Sequence, residues 1–331
     1  MTAPPLGDLL AGLRVVSIPM RVRFRGVTHR EVALIEGPAG WGEFGPFLEY
    51  PPAEAARWLA SAIESAYAAR PAPLRASVPV NATIPAVPPD AVAAVLQRFP
   101  GCTTAKVKVA EAGQMLADDL DRVAAVRDAM GPSARIRVDA NGGWSLTEAT
   151  DAVGRLAAYD LEYVEQPCAS VEELADLRKA LARNRIDVPI AADESIRKAE
   201  DPLRVRDLEA ADLVVVKVAP LGGVANALRI VDECGLPAVV SSALDTSVGI
   251  SAGVALAAAL PGLDHACGLG TVGLFDGDVT TDPLVPVGGL LPQRRVTPDP
   301  GLLTHWAAPP HRVAWWRERV EQAHGLFPTS P

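Results

Sequence analysis

Two lysines one residue apart are the first chemically suggestive feature of this chain. In the otherwise apolar run over residues 104–110 they are Lys106 and Lys108. Side chains of a β-strand alternate between faces, so both ammonium groups share one face while Val107 and Val109 take the other. Three later runs, over 135–141, 161–167 and 188–195, deliver a carboxylate each: Asp139, Glu165 and Asp193, about one βα unit apart. The next run, over 211–219, carries Lys217. Three crowded carboxylates repel one another and raise one another's pKa values unless a cation sits between them. Mg²⁺ suits such an all-oxygen set, with Mn²⁺ able to substitute. A metal ion flanked by amines serves proton removal next to a carboxylate, because both can stabilise the enediolate that forms. Lysine acts as a base when a neighbouring cation lowers its pKa, which makes Lys108 the base and Lys106 its modulator, with Lys217 on the opposite flank. The substrate is then a small-molecule carboxylate. A lone lysine or carboxylate at a strand end is usually a solvated rim residue; the ordered combination carries the reading.

Elements must hold these residues on one rim. Eight short β-rich runs, over 78–87, 104–110, 135–141, 161–167, 188–195, 211–219, 237–244 and 264–270, alternate with amphipathic segments such as 114–130, 145–160, 171–184 and 224–234. This alternation predicts an α/β chain with a TIM-type (β/α)7β barrel, whose catalytic rim is the C-terminal end of the strands. A doubly wound open sheet is the rival, since strand count does not prove closure. Before the barrel, strand patterns at 13–20 and 30–37 and a helical pattern over 51–70 predict an α+β capping domain. The expected division is 1–77 for the cap, 78–290 for the barrel, and a Pro-, Arg- and Trp-bearing tail, 291–331, packing back on the cap.

Composition narrows the function classes. The 331 residues are 49% hydrophobic, enough for a large core, and carry 31 basic against 40 acidic residues. With a net charge of −9 and no basic stripe, nucleic acid is not an expected partner. The first residues lack a basic segment followed by an apolar run, and the apolar stretch 248–263 is short and rich in Gly and Ala, so neither a signal peptide nor a membrane span is expected. Cys102, Cys168, Cys234 and Cys267 are scattered, as reduced thiols of a cytoplasmic protein would be. The oligomeric state stays open, a monomer included.

The stretches Lys106-Val107-Lys108, Asp139-Ala140-Asn141, Glu165-Gln166-Pro167, Asp193-Glu194 and Lys217 resemble the enolase superfamily, in its muconate-lactonizing-enzyme-like branch. The resemblance covers nearly the whole chain. Within the branch, residues 19–31, 137–141, 241–250 and 267–271 look most like the o-succinylbenzoate synthase family of the actinobacterial type. That family removes water from a cyclohexadiene carboxylate bearing a succinyl chain, in menaquinone biosynthesis. The resemblance implies that Lys108 takes the proton and returns it to the departing hydroxyl, Lys217 stabilises the enediolate, and Asp139, Glu165 and Asp193 hold Mg²⁺. Around them, Arg137 and Asn141 are expected to orient ligands, Ser241, Ser242 and Gly268 to hold a substrate carboxylate, and Arg25 to lie in a loop closing over the site. Relatives with the same lysines and carboxylates are N-acylamino acid racemases, dipeptide epimerases and cycloisomerases, and the paired lysines do not separate these.

Other classes compete. Gly249-Ile250-Ser251-Ala252-Gly253 matches the nucleophile elbow of serine hydrolases, but it falls in what reads as a small-residue helix rather than a strand-to-helix turn. Lys217 at the end of an apolar strand also suits a Schiff-base lyase, which leaves the three carboxylates without a purpose. A non-catalytic barrel is the third alternative.

Overall fold

The computed structural model describes residues 3–24, 26–197 and 202–327. After the short helix α1 (Leu6–Ala11), strands β1 (Leu13–Phe24), β2 (Val27–Gly37) and β3 (Gly40–Phe44) form an antiparallel sheet in that order. Helix α2 (Pro52–Tyr67) lies on it, with proline in its first turn and Ala55, Trp58, Leu59, Ala62, Ile63 and Ala66 buried. That spacing is the inward stripe of an amphipathic helix. The approach is close: a Cβ on Gly42 would stand 2.0 Å from the Ala62 carbonyl oxygen, so β3 needs glycine there.

The second sheet is parallel and seven-stranded. Strands β5 (Ala82–Ile84), β6 (Thr104–Lys108), β7 (Arg135–Asp139), β8 (Leu161–Glu165), β9 (Ile190–Ala192), β10 (Leu213–Val216) and β11 (Ala238–Val240) lie side by side in chain order. Between them run α3 (Val92–Leu96), α4 (Leu116–Met130), α5 (Leu146–Leu156), α6 (Val171–Arg183), the short α7 (Glu194–Arg197) and α8 (Arg204–Asp207), then α9 (Val224–Cys234); α10 (Ser247–Ala259) follows β11. Ser145 with Glu148, and Ser170 with Glu173, form reciprocal capping boxes that start α5 and α6. The strands are largely buried, and β10 is apolar throughout with all four residues covered.

The sheet curls into a half-barrel, and one segment touches both of its edges. Cys267 bridges Val80 just before β5, and Gly268 bridges Ser241 just after β11. The Asn81 N–H donates to the Cys267 carbonyl at 3.0 Å, and the Gly268 N–H to the Val240 carbonyl at 2.8 Å. The eighth strand expected over 264–270 is reduced to these bridges, because Gly268 and Gly270 weaken a strand and a 3₁₀ turn begins at Thr271. The first expected run, 78–87, also splits: β4 (Ser77–Pro79) pairs antiparallel with β12 (Leu290–Pro292), and β5 begins beyond it. Pro79 and Pro85 have no N–H to donate, which limits each ladder.

Inside the curl, Tyr163, Ala191, Leu213, Val215 and Val239 form a buried cluster of their own. Each stands two residues before Glu165, Asp193, Val215, Lys217 and Ser241 respectively, so this cluster is the floor beneath the polar strand ends. Among the described residues, no helix is long and apolar enough to cross a membrane.

Beyond the sheet, α11 (Pro300–His305) and α12 (Pro310–His324) return to β1 and α2. Trp316 is fully buried, edge-on to Phe44 at 5.7 Å, and its indole N–H donates to Glu31 at 2.9 Å. Arg312 pairs with the same carboxylate at 2.7 Å. Replacing Trp316 with alanine removes a large buried ring and leaves Glu31 one donor short. We expect a loss of about 3–5 kcal/mol of stability, read as a lower denaturation midpoint. Trp316→Phe keeps most of the ring and costs less; equal losses would count against the packing account.

Candidate active site

Strand register assembles the site. Pairing of β6 with β7 sets Lys108 beside Asp139, and pairing of β7 with β8 sets Asp139 beside Glu165. Asp193 follows β9 directly and Lys217 follows β10, so lysine-bearing strands flank the three acid-bearing ones. The charges meet in pairs. Lys106 Nζ lies 2.8 Å from Asp139 Oδ2 and 2.6 Å from Glu165 Oε1. Lys108 Nζ lies 2.6 Å from the same Asp139 oxygen and donates to Asn141 Oδ1 at 2.6 Å. Lys217 Nζ donates to Asp193 Oδ2. Apart from the half-buried Lys108, these charged groups are buried.

Burial and neighbouring charge set the titration. Burial pushes the Lys108 ammonium below its ordinary value; Asp139 opposes this and the Lys106 charge adds to it. Burial is therefore a larger lever on Lys108 than the Lys106 charge singled out from sequence. Lys106 moves the other way: Asp139 and Glu165 outweigh its burial and raise it. The same lysines hold Asp139 well below the usual carboxylate range despite burial. Burial and the Asp139 charge raise Glu165 to about 8, against the pull of Lys106.

The three carboxylates do not stand as a ready-made cage. Among the described residues, no group of three His, Cys, Asp or Glu side chains is placed to hold a metal ion. Lys106 lies between Asp139 and Glu165 and draws one oxygen of each toward itself. The residues nevertheless fit a hard divalent cation. The donors are all carboxylate oxygens from adjacent strands, and Glu165 Oε2 is buried with no hydrogen-bond partner.

A narrow cleft with about 40 Å³ of room opens over this cluster. Lys106, Lys108, Asp139, Asn141, Lys217, Ser241, Ser242 and Gly268 all line it. Asn141 does more than face the cleft: it accepts from Lys108 and donates to Glu194 Oε1 at 3.2 Å. Ser242 Oγ is engaged with the Gly268 carbonyl at 2.9 Å and with Thr271 Oγ1 at 2.8 Å. Glu165, Asp193 and Arg137 are not among the lining residues, and for Arg137 this departs from the expectation that it orients ligands. It is fully buried, donating to Glu162 at 2.9 Å and to the Tyr163 hydroxyl and Ala266 carbonyl at 2.8 Å each. It shares a face with Asp139, but two residues earlier on a strand is about 6.6 Å deeper. Arg25 lies outside the described residues. Ser251 sits within α10, donating to the Val248 carbonyl and accepting from Arg70, each at 2.7 Å; it is helical, with no elbow.

Other participants escaped the sequence reading. Phe24 and Phe47 line the cleft, and the Phe24 ring centroid is 5.3 Å from Lys108 Nζ. Thr83, Ala243 and Leu244 complete the wall, together with Thr271 of the 267–271 stretch already singled out from sequence. Arg30 of β2 is buried and braces that wall, donating to the carbonyls of Gly45, Leu244 (2.8 Å) and Ala243 (3.3 Å). Glu43 of β3 meets the start of α10, accepting from the Thr246 hydroxyl at 2.5 Å and the Gly249 N–H at 3.1 Å. Burial and Asp245 raise Glu43 to about 8. The available signal was an arginine and a glutamate at inward positions of otherwise apolar strands.

A family model described as enolase C-terminal domain-like matches residues 90–307, and one described as enolase N-terminal domain-like matches 15–66. A curated o-succinylbenzoate synthase of Mycobacterium tuberculosis is 60% identical over 325 residues, 98% of this chain and 97% of that protein. Its counterpart in Mycolicibacterium smegmatis is also 60% identical, over 98% of each chain. Among solved structures, muconate lactonizing enzyme from Pseudomonas fluorescens superposes with a TM-score of 0.75 at 20% identity, covering 89% of this chain and 98% of that one, a likeness of fold.

The Arg137 network yields a pH prediction. Burial alone would raise Glu162, but its hydrogen bond from His265 and the Arg137 charge prevail and hold it at about 2, below its ordinary 4.5. Its contribution to stability is therefore present above pH 4.5 and lost as pH falls toward 2. Thermal unfolding of the protein and of Glu162→Gln should show a gap that is full near neutrality and narrows on acidification below pH 4.5. A gap unchanged by pH would reject this.

Proposed function

Because the chain belongs to the o-succinylbenzoate synthase family of the enolase superfamily, we propose that the charged cluster at its strand ends is the catalytic centre. The enzyme is a lyase of menaquinone biosynthesis, an o-succinylbenzoate synthase. Its substrate, in this reading, is the cyclohexadiene carboxylate bearing a succinyl chain, which loses water to give o-succinylbenzoate. The fold is read as a (β/α)7β barrel over 78–290, supported by the bridges of 267–268 to both sheet edges, with a cap made of 1–77 and the tail 291–331. The four cysteines are free, which suits a reducing, cytoplasmic setting.

The observation that carries the mechanism is the arrangement of two lysine-bearing strands around three acid-bearing ones. Lys108, lowered by burial and by Lys106, takes the proton beside the substrate carboxylate. Asn141 holds its Nζ from one side, and Phe24 covers it and limits water. Charge then develops on the carboxylate, and Lys217 meets it from the other flank with a buried ammonium. Lys108, now protonated, gives its proton to the departing hydroxyl. Asp139, Glu165 and Asp193 would hold Mg²⁺, with Mn²⁺ able to substitute, and the bound ion supplies Lewis-acid stabilisation of the carboxylate charge. Ser241, Ser242 and Gly268 bound the part of the cleft assigned to the substrate's carboxylates.

Lysines on both flanks also suit N-acylamino acid racemisation, which needs a base on each face. The two readings separate by assay. Purified protein with Mg²⁺ should form o-succinylbenzoate, followed by its ultraviolet absorbance, and much less or no racemised N-succinylamino acid; the reverse preference would overturn the assignment. Lys108→Ala should lose at least about 100-fold in turnover. EDTA should abolish activity and added Mg²⁺ restore it, and full activity after chelation would remove the metal from the mechanism.

A further inference from the structure

We infer that Gln166 is the positioning residue that fixes Asp193 relative to Glu165, and so sets the affinity of the site for a divalent cation. This rests on the reading of the three carboxylates as ligands.

Gln166 follows Glu165 directly and is fully buried. Its Oε1 accepts from the Asp193 N–H at 3.0 Å and from the Ser195 N–H at 3.1 Å. Its Nε2 donates to the Cys168 carbonyl at 2.9 Å and to Ser195 Oγ at 2.8 Å. The amide thus has two bonds at each end, the orientation being fixed by two backbone donors on one side and a carbonyl on the other. Its backbone is equally committed: the Gln166 N–H donates to the Ala191 carbonyl at 2.8 Å, and its carbonyl accepts from the Gly142 N–H at 2.7 Å. One residue therefore ties the exit of β7, the exit of β8 and the exit of β9, each just past one of the three acids.

The backbone shows what this costs. Gln166 has φ +39°, a left-handed conformation that strains a non-glycine residue. That conformation sends Glu165 into the curl while the next side chain reaches across to the Asp193 segment. Hydrophobic packing gives no reason for a glutamine here, since a leucine of similar volume would fill the space. Capping the Asp193 and Ser195 N–H groups does, because unpaired donors at this depth would let the chain bearing Asp193 shift. Partners that orient ligands in this way commonly govern metal affinity by about 10–100-fold.

The test measures binding of Mn²⁺ to the full-length protein by electron paramagnetic resonance titration, so that the readout does not depend on turnover. Gln166→Leu should weaken Mn²⁺ binding by about 10–100-fold. Gln166→Asn, which keeps the amide but withdraws it by one methylene, should also lose at least about 10-fold and serves if the leucine variant does not fold. Gln166→Glu keeps an acceptor for both N–H groups but sets an oxygen against the Cys168 carbonyl, and should bind Mn²⁺ more tightly than Gln166→Leu. A folded leucine or asparagine variant with parental affinity, or a glutamate variant as weak as the leucine one, would overturn the inference while leaving the metal site standing. Absence of saturable Mn²⁺ binding by the parent protein would overturn the metal reading and this inference with it.

Discussion

The structure depends on balancing charge that the curled sheet has removed from water. Lys106, Lys108 and Lys217 meet Asp139, Glu165 and Asp193 at the strand ends, three cations against three anions. Isolated burial of any of them would cost several kcal/mol, and removing one partner from a buried pair typically costs about 3–5 kcal/mol. The pairs do not specify the fold, because an apolar interior would be at least as stable. What they do is make each strand end answerable to its neighbour. Lys106 reaches both Asp139 and Glu165, so a shift of β6 against β7 and β8 by one residue would break two contacts at once. A cluster held this way keeps its geometry without substrate, which is what electrostatic stabilisation of developing charge requires.

Backbone conformation at the strand exits follows from the same demand. Ala110, Asn141, Gln166 and Leu244 all have positive φ, and each lies one to four residues beyond a strand of the parallel sheet. A chain leaving a strand must aim its last side chain inward and then turn sharply away toward the outer helix, and the left-handed region does this in one residue. Non-glycine residues are strained there, so each needs local compensation. The Asn141 N–H donates to its own strand's Asp139 at 3.0 Å, and the Ala110 N–H to Asp119 at 3.0 Å. Asp119 is in turn paired with Arg122, which also donates to the Lys108 carbonyl at 2.8 Å. Strain and its compensation thus concentrate around the residues that carry charge.

Much of the site was legible because it is local in sequence. Period-two alternation places Lys106 and Lys108 on one face whatever the tertiary structure, and a carboxylate closing an apolar run announces a strand end. Depth was not legible. Arg137 shares a face with Asp139, yet whether it meets ligand or floor depends on how far the cleft reaches down the strand and on what Tyr163 and Glu162 do beside it. Contacts between distant segments were also hidden. Arg30 and the carbonyl it braces at Leu244 are 214 residues apart, so an inward arginine on an apolar strand could be noticed in sequence but its partner could not be named. The eighth run failed for a different reason: a pattern of apolar and small residues does not reveal that glycines restrict pairing to two positions.

The cleft therefore has two kinds of wall, with different physics. The parallel sheet contributes charged groups whose positions are fixed by register and mutual attraction. The antiparallel sheet contributes apolar cover, Phe24 at the end of β1 and Phe47 beyond β3, whose positions register cannot fix because neither lies within the second sheet. Arg30 resolves this by binding the Gly45 carbonyl near Phe47 and the Ala243 and Leu244 carbonyls of the opposite wall with one rigid guanidinium, while its face lies 4.8 Å from the Phe47 ring. A lysine could satisfy the charge of Glu43 and Asp245 but not present a planar fork to three carbonyls at once. The apolar cover is thereby referenced to the same loop that carries the last strand's polar end, so cover and charge are aligned through one buried side chain rather than through the linker between the sheets.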